Sequence, residues 1–181
     1  MNKISELYPK NKKTKIAIVS SLYFLLLMTV SAIQVCIFPR FKFMGTVADA
    51  TLCTVVIVSF FSNEKEASIY GFFAGIVIDS MGNTGITLLP LIYFLLAYFL
   101  GSAARYNHKK NFSSFLVFAA FGTIVRMVST IAYTALLATR FHLLDLVNKS
   151  VFPEAIATFA LALIMYYPIG SICKKIRKKL E

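Results

Sequence analysis

Six continuous apolar runs fill most of this chain, at about 16–38, 44–62, 67–82, 85–104, 113–139 and 153–173. A helix needs ~20 such residues to cross the ~30 Å hydrocarbon layer of a bilayer. The runs do not alternate polar with apolar residues, as the strands of a membrane barrel must. Backbone in lipid has to satisfy its own hydrogen bonds, which leaves helices. The expected fold is an all-α integral membrane protein. It has six transmembrane helices in one domain over residues 1–181. The third run is short, so it thins the bilayer locally or starts within the interface.

Composition agrees. The chain is 58% hydrophobic and 15% charged, whereas a soluble domain is nearer half apolar and a quarter charged. The net charge of +11 reads as topology, because the basic residues cluster beside the apolar runs. No Arg-rich soluble module is present to hold RNA or DNA. Lys3, Lys10, Lys12, Lys13 and Lys15 precede the first run, and Lys174, Lys175, Arg177, Lys178 and Lys179 follow the last. Lys65, Arg105, Lys109 and Lys110 fall in loops on the same side. The opposite side carries Arg40, Lys42, Arg140 and Lys149. The positive-inside bias then places both termini in the cytoplasm. The first run is too long for a signal-peptide core and lacks an A-x-A exit, so it reads as an uncleaved span. On the other side the loops are short. Residues 39–43 form a tight turn, Gly82 to Gly85 a two-glycine hairpin, and 140–152 an interfacial segment.

Away from the ends of the runs stand three ionisable residues: Asp49, Asp79 and Arg126. At ~1.5 Å per helical residue, all three fall in the outer half of the bilayer. Arg126 is expected to pair with Asp79, Asp49 or both, since its planar fork takes two carboxylate oxygens. We read the trio as a clasp that fixes helix order. A proton relay needs a continuous ionisable path, and the inner halves of spans two, three and five offer none.

Small residues recur at contact spacing. Gly71, Gly75 and Asp79 share one helix face, which Gly82 extends and which is expected to pack within the chain. Gly45 is placed one turn from Asp49. Ala17 and Ser21 form an Ala-x3-Ser pair in span one, the candidate face for a partner helix. Pro90 and Pro168 read as kinks. Tyr70, Tyr106, Tyr166 and Tyr167 fall at the cytoplasmic interface, where tyrosines anchor. Cys36, Cys53 and Cys173 are too far apart for a metal motif, and His108 and His142 lack a second ligand. No G-x-S-x-G, HExxH or P-loop occurs. The sequence offers no sign of an enzyme, a cofactor or a metal site.

From about Val47 to Gly101 the chain resembles the MreD family of bacterial cell-shape proteins. The likeness rests on an Asp near the start of span two, on G-F-F-A-G-I-V-I-D in span three, and on Gly82-x2-Gly85 before a span ending in Gly101. MreD members often open span two with Arg-Pro-Asp, where this chain has Val47-Ala48-Asp49. The resemblance implies a non-enzymatic scaffold of the elongasome in the bacterial cytoplasmic (inner) membrane. It implies binding to MreC, a single-span protein, and work with MreB, RodA and a class B penicillin-binding protein in lateral peptidoglycan synthesis. It also implies a bundle like the S components of energy-coupling-factor transporters. Gly71, Gly75, Asp79 and Gly85 carry over as packing residues. The alternative is an S-component-like subunit that binds a small vitamin. Against it, few neutral hydrogen-bonding groups line the spans, and a ligand site needs several that converge.

Overall fold

The computed structural model describes residues 12–40, 45–82, 88–106, 111–137 and 151–178. Six α-helices follow in order: α1 (Lys12–Cys36), α2 (Ala50–Phe61), α3 (Glu64–Gly82), α4 (Leu89–Tyr106), α5 (Phe112–Leu137) and α6 (Phe152–Lys178). A 3-10 turn, Phe38–Arg40, follows α1. Among the described residues there is no β-strand. The all-α membrane architecture expected from the sequence is the one observed. Four helices, α1, α4, α5 and α6, are long and apolar enough to cross a membrane.

The other two differ from expectation in instructive ways. α2 has 12 residues, or ~18 Å of helix, well short of the hydrocarbon thickness. It starts at Ala50 rather than near residue 44, because the backbone before it is not helical. Asp49 has φ −90° and ψ 90° and caps the helix. Gly45 has φ +85°, a conformation that suits glycine and belongs to a turn. Gly45 is therefore not one helical turn from Asp49. α3 begins earlier than expected, at Glu64, and so spans 19 residues. Glu64 and Glu66 fall in its first turn, where carboxylates complement the helix dipole. α6 likewise runs on into its lysines, which suit a helix C-terminus.

α2 is the centre of the bundle. Every one of its 12 residues is buried, and it touches all five other helices. This accounts for its uncharged, mostly apolar sequence, TLCTVVIVSFF after Ala50. Cross-contacts fix the alternation of helix directions. Near the start of α2, Asp49 meets Thr158 of α6; near its end, Ser62 meets Tyr23 of α1, with 2.7 Å between the hydroxyls. The bundle thus has a near end, holding the first and last described residues, and a far end, where α2 begins.

α3 and α4 form the most extensive helix pair. The glycine face of α3 makes it possible. A Cβ on Gly71 would strike the carbonyl of Tyr93 and the methyl of Ala97, and one on Gly75 would strike the backbone of Pro90 and Leu89. Two backbones pass at this distance only where side chains are absent. Pro90 is the second residue of α4, where its missing N–H lacks an intrahelical partner in any case. It starts the helix and does not kink it.

The near end is closed by rings. Phe60 stands edge-on to Phe61, Phe115 and Phe118, with centroids 5.2, 5.8 and 5.2 Å away. Tyr166 packs 4.4 Å from Phe115 and 5.9 Å from Phe61. The ammonium of Lys174 sits 5.3 Å above the Phe61 ring, a cation–π contact. Tyr70 and Tyr166 are buried in packing, whereas Tyr106 and Tyr167 are exposed. Only the second pair is placed as an interfacial belt requires.

Candidate functional site

The far end of the bundle contains a polar knot built around the start of α2. Non-helical backbone at membrane depth is tolerable only where protein satisfies its N–H and C=O groups. Here side chains do so one by one. Gln34 of α1 grips both sides of the entry: its amide donates to the Ala48 carbonyl at 2.9 Å, and its carbonyl accepts from the Ala50 N–H at 2.7 Å. The Asp49 N–H donates to the Thr158 hydroxyl of α6 at 3.0 Å. Asp49 Oδ1 accepts from the Leu52 N–H at 2.9 Å, the usual N-cap bond. The Cys53 thiol donates to the Asp49 carbonyl at 3.1 Å and reaches the Thr158 carbonyl at 3.3 Å.

The second carboxylate oxygen of Asp49 ties in two further helices. Tyr93 of α4 donates its hydroxyl to Oδ2 at 2.5 Å. Arg126 of α5 brings Nε to 3.6 Å from the same oxygen, and its guanidinium carbon lies 5.9 Å from the Tyr93 ring centroid. Both side chains of the ion pair are shielded, at 15% and 7% exposed. Glu154, in the first turn of α6, completes the set of groups whose charge bears on Arg126. One residue on a short central helix thus binds α4, α5 and α6, and its flanking backbone binds α1.

Arg126 and Asp49 are therefore brought together. Asp79 is half-buried in the last turns of α3. The ion pair of Arg126 is with Asp49, beside the Tyr93 ring. Gly71 and Gly75 of α3 pack against α4 as described. Ser21 is exposed on α1. The side-chain surroundings of Ala17 and Gly82 lie outside the described residues, as do all of Gly85 and the 140–150 segment.

Sequence reasoning missed Gln34, Tyr93, Glu154 and Thr158. Glu154 carried a legible signal, an acidic residue just inside the last apolar run. Gln34 and Thr158 were visible only as neutral polar residues within apolar stretches, and Tyr93 as one of nine tyrosines. Nothing in spacing says that four residues so far apart gather around the head of one helix. Tyr93→Phe should lower stability by about 1 kcal/mol, typical of an interhelical hydrogen bond in lipid. Unfolding of the purified protein in detergent measures it.

Among the described residues, no group of three His, Cys, Asp or Glu side chains could hold a metal ion. The three cysteines are free, with Cys53 and Cys173 buried and Cys36 exposed. Buried charge and close glycine contacts in an apolar bundle are the marks of an α-helical membrane protein whose helix order is fixed internally. The family model of the rod shape-determining protein MreD matches residues 12–176, nearly the whole chain. The chain belongs to the MreD family, and its role lies in rod-shape determination. No curated protein matches it, and no solved structure does.

Proposed function

We propose that the chain is a non-enzymatic scaffold of the bacterial cell-shape machinery, crossing the cytoplasmic (inner) membrane six times with both ends in the cytoplasm. It binds an MreC-like single-span protein and, through the assembled complex, works with MreB, RodA and a class B penicillin-binding protein to direct lateral peptidoglycan synthesis. Family membership over nearly the whole chain is the observation that carries this reading.

A groove between α1 and α3 supports it. The cavity measures about 610 Å³ and is lined by Val19, Ser20, Ser21, Phe24, Ile69 and Phe73 among others. The two serines are small and exposed, so a second helix can approach α1 closely there, with apolar walls on either side. This is the Ser21 face singled out in the sequence. The vitamin-binding alternative finds less support: the cavity beside the polar knot measures about 10 Å³, where ligand pockets run to ~300 Å³ or more, and the larger α1–α3 groove has mostly apolar walls.

Crosslinking tests the proposal. Ser21→Cys, paired with single cysteines along the span of a co-expressed MreC-like partner, should form a disulfide at helical periodicity. Purified protein should also carry that partner through detergent extraction. A uniform lack of crosslinks along α1, together with a vitamin or an energy-coupling subunit in the purified material, would overturn it.

A further inference from the structure

Beside the polar knot lies a small cavity between α5 and α6, lined by Thr123, Arg126, Thr130, Glu154, Ala155 and Thr158 among others. Its volume is about 10 Å³, at the lower limit of what holds a single water. Five of its lining residues carry polar side chains: a guanidinium, a carboxylate and three hydroxyls. The Nε–H of Arg126 is buried and, among the described residues, meets no hydrogen-bond acceptor. Its nearest carboxylate oxygen, on Asp49, is 3.6 Å away and already takes the Tyr93 hydroxyl at 2.5 Å. A buried donor without an acceptor is costly, more so in lipid.

We infer that this cavity is a binding site for one ordered water, which bridges the buried guanidinium of Arg126 on α5 to the Glu154 carboxylate at the start of α6. The water accepts from Arg126 and donates to Glu154, with Thr123 and Thr158 as the further polar neighbours. Buried waters commonly make about three such bonds. A monatomic cation is a poor fit so close to a guanidinium, and an anion a poor fit so close to Glu154. The bridge joins the two helices on either side of the 138–150 connection. Asp49 reaches α6 through its backbone N–H and the Thr158 hydroxyl, and the water adds a link between the charged groups of α5 and α6.

Two measurements on the full-length protein decide the matter. With 15N-arginine label in perdeuterated lipid, solid-state NMR should show a cross-peak from the Arg126 Nε–H to water, assigned by its loss in Arg126→Lys. A guanidinium with no water cross-peak overturns the inference. Ala155→Val fills the cavity from its wall. If a bonded water is displaced, the unfolding midpoint should fall by several degrees relative to Ala157→Val, which makes the same change on α6 outside the lining. An equal or higher midpoint means a dry cavity was filled, and overturns the inference.

Discussion

Asp49→Ala should destabilise the purified protein by about 3 kcal/mol or more, an amount typical of breaking one side of a buried ion pair. Three losses coincide. The N-cap bond to Leu52 disappears, a change that removes ~1 kcal/mol on its own. The Tyr93 hydroxyl loses its acceptor. Arg126, only 15% exposed, keeps its charge with its nearest carboxylate gone. At ~2–4 °C per kcal/mol for a chain of this size, the midpoint should drop by roughly 10 °C. Asn at the same position retains the cap and an acceptor for Tyr93, so Asp49→Asn should lose clearly less. The double variant Asp49→Ala/Arg126→Leu should recover part of the loss, because it removes the stranded charge. If Asp49→Ala melts with the parent protein, or if Arg126→Leu adds its full effect to it, the knot is not the tie that holds the far end together.

Gly75→Ala, the smallest possible enlargement, should also be severe. Its new methyl would stand inside contact distance of the Pro90 backbone, and neither chain can yield by rotating a side chain. The insertion of a methyl into a packed interior carries ~1–3 kcal/mol, and a backbone obstacle puts this site at the upper end. Gly75→Leu should leave little monodisperse protein, as read by fluorescence-detected gel filtration in detergent. Ile76, the next residue, is 37% exposed, and Ile76→Ala should be nearly silent there. Equal profiles for Gly75→Leu and Ile76→Ala would show that α3 and α4 do not pass as closely as described.

Both predictions rest on residues that stood out in the sequence, but for partly different reasons. Gly75 was visible because glycines four apart in an apolar run mark a close helix crossing, a local rule that needs no knowledge of the partner. That α4 is the partner, and that Pro90 and Tyr93 present their backbones there, required the fold. Asp49 was visible as a charge in an apolar run. Its role as a cap was not, because nothing local says that span two begins its helix at Ala50. The run from residue 44 is mostly apolar on both sides of Asp49, so the hydropathy pattern extends past the point where the backbone turns.

The membrane setting and the helical class were readable from the chain, since length and apolarity of a segment decide what lipid will accept. The glycine face was readable too, for the period of a helix places residues four apart together. Which acid meets Arg126 was left open among Asp79, Asp49 and the two together, both being acceptable in depth. Proximity across helices settles that choice, and proximity depends on which helix occupies the centre. α2 holds that place, buried on every side, so the carboxylate at its head is the one within reach of α4, α5 and α6 together. Gln34, Tyr93, Glu154 and Thr158 join it for the same reason: they lie far apart along the chain and meet only when the bundle closes.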